Sequence, residues 1–198
     1  MKKDEKEIIS KKVWIILLVV CILLIIIVSV GFYVFNHREE EVIEKKEDGA
    51  KIYLNYTSTS PSFSLTKLVP TADEVGMNSE EMFYDFSVEA EIIKADEVEY
   101  EISIEKDLKL SNISNDDIRI YLEKEDSGTY VKKFGPDKYT PLKEKSDLGS
   151  EINSMILWKD SMKKSDVHNY RLKIWLADKS LLTSGMYKVD VVVNGKSK

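Results

Sequence analysis

The residues able to do covalent or metal chemistry are few in this 198-residue chain: two histidines, His37 and His168, and one cysteine, Cys21. Nucleophilic hydrolysis needs a nucleophile, a base and a group that orients the base, and His168 alone defines no such spacing. Cys21 sits within an uninterrupted apolar run and is preceded by Val20, where a lipid-attachment site needs a small residue. It reads as a lipid-facing or packing cysteine, and it leaves no partner for an intrachain disulfide. Zinc needs clustered Cys and His ligands, and none are clustered. The eight glycines are scattered through turns and form no phosphate-cradling loop. Carboxylates are abundant, as in Asn115-Asp116-Asp117 and Asp73-Glu74. Calcium, however, takes six to eight oxygens from a shaped loop, and neither run has that spacing. They read as turn caps and solvated acids. No catalytic residue, cofactor or metal is therefore expected, and the chain is not expected to be an enzyme.

Two aromatic residues are the better candidates for contact with something else. Tyr170, Leu172, Ile174 and Leu176 alternate as one face of a strand, which turns Trp175 outward between Lys173 and Ala177. Ile118, Ile120 and Leu122 turn Tyr121 outward in the same way. An exposed tryptophan on a sheet is a common binding anchor, so Trp175 and Tyr121 are the candidate partner or glycan contacts. The alternative for Trp175 is that the long connection Ser58 to Glu81 covers it. Trp158 reads as core, and His37 as a solvated linker residue.

The elements that would hold these residues are strands. Val98, Tyr100, Ile102 and Ile104 alternate with Glu99, Glu101 and Ser103; Tyr187, Val189, Val191 and Val193 repeat the pattern, as do Tyr84, Phe86, Val88 and Ala90. Ile52, Leu54 and Tyr56 make a first strand, and Ile152 to Trp158 is apolar on both faces. Turn signals lie between, at Asn112 to Asp117, Ser127-Gly128, Gly135-Pro136 and Asn194-Gly195. Ser58 to Glu81 and Lys124 to Ser150 read as loops or edge pieces. Seven or so strands with turns between them predict an all-β, two-sheet sandwich with Greek-key connections. The immunoglobulin-like arrangement is the expected form, without its Cys-Trp-Cys core.

Before the strands comes Val13 to Phe35, 23 residues without a charge, 18 of them Leu, Ile, Val or Phe. As a helix it would span about 35 Å, enough for a bilayer core of roughly 30 Å. Five lysines precede it within residues 1–12, whereas acids dominate after it. This lysine excess predicts a cytoplasmic N-terminus and an extracytoplasmic C-terminal domain. Trp14 falls at the inner interface, and Phe32, Tyr33 and Phe35 at the outer one. The run is longer than the core of a cleaved signal, so a retained single-pass anchor is expected; cleavage near Gly31, after Ser29-Val30-Gly31, is the alternative. The organisation predicted is a cytoplasmic segment at 1–12, a transmembrane helix at 13–35, a charged stalk at 36–50 and an extracytoplasmic sandwich at 51–198. Glu41 and Lys45, four apart, suggest that the stalk is helical.

The runs YEISIEKDLKLSNISNDDIRIYL at Tyr100 to Leu122, YRLKIWL at Tyr170 to Leu176 and YKVDVVVNG at Tyr187 to Gly195 resemble a recurring strand pattern. It belongs to uncharacterised single-pass surface proteins of low-GC Gram-positive bacteria, whose ectodomains are similar to the TasA and camelysin type of β-sandwich. The resemblance implies a cell-envelope location and no catalytic motif; some members of that type assemble into extracellular fibres. The chain carries 29 basic and 35 acidic residues, a net charge of −6, which disfavours nucleic acid. The expected partners are the lipid bilayer through Val13 to Phe35 and an envelope protein, a second copy or a glycan. The expected function is a structural or protein-interaction module at the cell envelope, with wall or carbohydrate binding as the alternative and an envelope enzyme using carboxylates as the less favoured third reading.

Overall fold

In the computed structural model the chain divides into two units, Met1–Glu39 and Glu40–Lys198. The residues described are 41–43, 50–56, 61–66, 68–81 and 83–198. The run Val13 to Phe35, with Trp14, Phe32, Tyr33 and Phe35, lies outside them. Among the described residues no helix is long and apolar enough to cross a membrane.

The second unit is an all-β, two-sheet antiparallel sandwich. Its strands are β1 (Glu41–Ile43), β2 (Ala50–Tyr56), β3 (Ser62–Leu65), β4 (Pro70–Thr71), β5 (Phe83–Ile92), β6 (Val98–Lys106), β7 (Ile118–Asp126), β8 (Thr129–Asp137), β9 (Ser154–Met162), β10 (Asp166–Ala177) and β11 (Tyr187–Ser197). One short helix, α1 (Asp73–Met77), precedes β5. Sheet A runs β1-β2-β5-β10-β7-β8, with β4 pairing parallel to the end of β10. Sheet B runs β3-β11-β6-β9.

The period-2 alternation puts one row of each strand between the sheets. From sheet A come Tyr84, Phe86, Val88, Ile118, Ile120, Leu122, Tyr170, Leu172, Ile174 and Leu176; from sheet B come Val98, Tyr100, Ile102, Ile104, Tyr187, Val189, Val191 and Val193. Each is buried. These are the positions that alternation assigns to the core. Trp158 departs from expectation. A bulge at Ile102/Ser103 adds a residue to β9, and Trp158 ends half-buried, packed at the edge of the core beneath the Lys133 ammonium.

The strand order replaces the immunoglobulin-like expectation. From β5 to β11 the chain visits sheets A, B, A, A, B, A and B in turn, and β3 belongs to sheet B. The eight strands of the four-stranded sets β3-β11-β6-β9 and β5-β10-β7-β8 are thus wound as in a jelly roll. An immunoglobulin sandwich keeps its first two and last two strands paired as neighbours within a sheet. Here β10 and β11 lie in different sheets. The helical stalk is also corrected at Glu41–Ile43, which is extended and pairs antiparallel with Leu54–Ile52 of β2.

Candidate functional site

Trp175 and Tyr121 do sit on the outer face of sheet A, as alternation requires. Lys173 stands opposite Tyr121, and Trp175 opposite Arg119. Neither aromatic reaches solvent: Trp175 is 1% exposed and Tyr121 6%. Segment 68–81 crosses this face as a strap. Pro70–Thr71 pairs with Leu176–Ala177, and α1 then lies over the indole. Gly76, the buried residue of α1, meets the ring so closely that a methyl group there would stand 2.4 Å from Cδ2 and Cε2. Lys173, 5% exposed, ties the strap down by donating to the Met77 carbonyl, and it pairs with Glu123 at 3.2 Å. Arg119 reaches Asp73 at 3.8 Å. The Trp175 Nε1–H finds no acceptor among the described residues. The covered alternative is therefore the one observed. As exposed partner or glycan contacts both are corrected: the strap lies over Trp175, and Tyr121 is buried beside it, its ring centroid 6.4 Å from that of the indole and 6.0 Å from the Lys173 ammonium.

Beyond the strap the same face is a ladder of polar pairs. Tyr53 donates to Glu91 at 3.2 Å, Asn55 to Glu89 at 3.0 Å and Asn169 to Glu125 at 2.7 Å. At its centre Arg171 holds Asp85 through two bonds of 2.8 and 2.9 Å. Its guanidinium lies 4.1 Å from the Phe83 ring centroid and 4.2 Å from that of Tyr130. Arginine is suited to such a site because its planar fork matches a carboxylate while its faces stack on rings. The Asp85 bond, ahead of the other influences, raises the guanidinium's affinity for its proton.

Sheet B has its own cover in the β8–β9 connection, residues 138–153. Tyr139 Oη accepts from the Lys106 N–H, and its one proton is shared between the carbonyls of Ile104 and Asn153. Beneath the cover lies Glu101, fully buried on the outward row of β6. Its Oε1 accepts from the Ser146 hydroxyl and from the Ser150 N–H at 2.9 Å, and its Oε2 faces the Lys159 ammonium at 3.3 Å. Burial pushes this carboxyl up, but the bonds from Ser146, Ser150 and Lys159 outweigh it and hold the group below its ordinary value. A polar depression of about 440 Å³ opens beside it, lined by Glu99, Asp147, Lys159, Asp160, Ser161 and Lys196 among others. Lys198 and Glu101 already engage its Glu99 and Lys159.

At one end of the sandwich five polar side chains meet between the sheets: Tyr100 of β6, Lys124 of β7, Asp160 of β9, and His168 and Tyr170 of β10. Tyr100 Oη lies 2.6 Å from both Tyr170 Oη and His168 Nδ1. Asp160 Oδ2 accepts from Lys124 at 2.6 Å and from Tyr170 at 3.0 Å. Lys124 Nζ also stands 3.1 Å from His168 Nδ1. Burial and the neighbouring carboxylate push both phenols well above their ordinary range. This cluster was missed in the sequence. Its one signal is that His168 precedes the inward Tyr170 by two residues and therefore shares its face. Among the described residues no three His, Cys, Asp or Glu side chains converge as metal ligands.

No protein-family model matches the chain, and no curated protein matches it. Solved structures similar to it include the infectious bursal disease virus VP2 subviral particle, at 13% identity and a TM-score of 0.33, over 78% of this chain and 36% of that one. Another is a beta-glucosidase from Kluyveromyces marxianus, at 12% and 0.25, over 78% of this chain and 18% of that one. The PA14 domain of the antifreeze protein MpAFP matches at 8% and 0.25, over 79% and 76%. The chain thus spans only a minor part of the first two. Likenesses at this level carry no function across.

Proposed function

We propose that this chain is a membrane-anchored sandwich module displayed outside the membrane, with a structural or protein-interaction role at the cell envelope, and that it is not an enzyme. The carrying observation is the uncharged run Val13 to Phe35, with five lysines before it, joined to a disulfide-free sandwich. The polar ladder on β2, β5, β10 and β7 supports the interaction part. It is a broad, pre-ordered face centred on the stacked Arg171. The glycan alternative loses its motive, because Trp175 and Tyr121 are buried.

Protease shaving of intact cells expressing the full chain with a C-terminal tag tests the orientation. Residues beyond Glu40 should be digested without breaking the membrane; a tag protected until lysis overturns the topology. A photo-crosslinker in place of Ser87, on the ladder's β5, tests the interaction. An adduct with an envelope protein or a second copy is expected, and no adduct of any mass removes that role.

A further inference from the structure

We propose that the cluster of Tyr100, Lys124, Asp160, His168 and Tyr170 is a clasp between the two sheets that acid releases, with His168 as the member that switches. This goes beyond the envelope role and does not depend on it.

The geometry fixes the closed state. Lys124 has only protons to give, and its Nζ stands 3.1 Å from His168 Nδ1 while its main bond goes to Asp160. Tyr100 Oη approaches the same nitrogen at 2.6 Å. Because Lys124 can only donate, Nδ1 is assigned as the acceptor and the ring as the neutral tautomer with its proton on Nε2; Tyr100 then gives its one proton to Nδ1, and Tyr170 shares its own between Tyr100 and Asp160. A second proton on the ring would remove that acceptor and set two cations side by side.

The groups facing His168 decide whether anything absorbs that charge. Sheet B presents Tyr100 and Asp160, β7 presents Lys124, and β10 itself adds Tyr170 and the more exposed Asp166. The neighbouring β5 offers Val88 at the paired position, which carries no charge. Asp160 Oδ2 is 3.6 Å from the ring nitrogen, but it already accepts from Lys124 and Tyr170. Burial, followed by the Lys124 ammonium, outweighs the attraction of Asp160 and Asp166 and holds the imidazole below its ordinary value.

The position of the clasp gives the switch its consequence. Asp160 and His168 stand on the two arms of the connection 163–165, where the chain passes from β9 in sheet B to β10 in sheet A. Lys163 and Lys164 sit in that connection and add positive charge. It is pinned to β5 by one bond, Ile92 N–H to Ser165 Oγ at 2.9 Å. Once His168 is charged, it and Lys124 repel each other on adjacent strands of sheet A, Nδ1 no longer accepts from Tyr100 of sheet B, and the β10 arm loosens at this end of the sandwich.

The test uses the full chain in detergent micelles. His37 is the other histidine and serves as the internal reference for an imidazole NMR titration. His168 should titrate below the ordinary value of about 6.5. Hydrogen exchange, corrected for the intrinsic pH dependence, should show residues 159–168 losing protection about tenfold relative to β11 between about pH 7.5 and about pH 5. In His168→Gln, which stays uncharged, that ratio should not move. A flat ratio in the wild type, an unchanged acid loss in His168→Gln, or titration of His168 at or above the ordinary value each overturns the clasp. If His168→Gln does not fold, the two wild-type measurements decide.

Discussion

Gly76 shows how one missing methyl can settle what a surface does. With hydrogen in place of a side chain, α1 closes onto the indole of Trp175 and takes it out of solvent. Gly76→Val forces the ring or the strap to move. We expect a loss of about 1–3 kcal/mol, read as a lower midpoint in urea, with a red shift of tryptophan emission. Glu101 is the residue-scale case for acid. Its folded pKa lies below the unfolded value, so between the two the unfolded chain binds more protons and folding loses stability as pH falls. The contribution is complete above the ordinary glutamate value of about 4.5 and fades below it. Urea midpoints measured from about pH 6 down to about pH 3 should fall in the wild type and fall less steeply in Glu101→Gln, which starts lower because Lys159 loses its partner.

At the scale of elements, β8 depends on Gly135. The residue has φ +77°, and a Cβ there would lie 2.0 Å from the Ile120 carbonyl oxygen of β7. It sits where the β7–β8 register shifts around Leu122. Gly135→Ala should therefore cost about 1–3 kcal/mol in thermal or urea unfolding and raise hydrogen exchange in β8 ahead of the core strands. β8 also marks where legibility in the sequence ends. Strands β5, β6, β7, β10 and β11 each have one face against the core, so their apolar residues alternate in plain view. β8 is a sheet edge, its residues TYVKKFGPD are mostly half-exposed, and no alternation survives to report it. At five residues α1 is too short for helical periodicity. The spacing of Glu41 and Lys45 suited a helix, but pairing with β2 decided the conformation of Glu41–Ile43. For the same reason Trp175 and Tyr121 could be assigned to the outer face but not to a buried place on it: the strap over Trp175 comes from residues nearly a hundred positions away. The clasp is less legible still, because its five members come from four strands in two sheets.

For the molecule as a whole, two straps finish what two sheets begin. Segment 68–81 covers part of sheet A and residues 138–153 cover part of sheet B, so both outward faces carry buried groups of their own. The jelly-roll winding sets the order in which this can be assembled. β10 is the central partner of β5 and β7, and β11 joins β3 to β6. Phe83 must find Lys173, and Tyr100 must find Gly195. Pairings this distant in sequence carry a large loop-closure cost, which slows folding relative to chains with local contacts. During synthesis from the N-terminus β5, β6 and β7 emerge with their central neighbours still missing. Neither sheet can close until the last quarter of the chain is present. A chain cut short before β10 would thus keep nine of its eleven strands and neither finished sheet, with apolar rows and open edges left to find other partners.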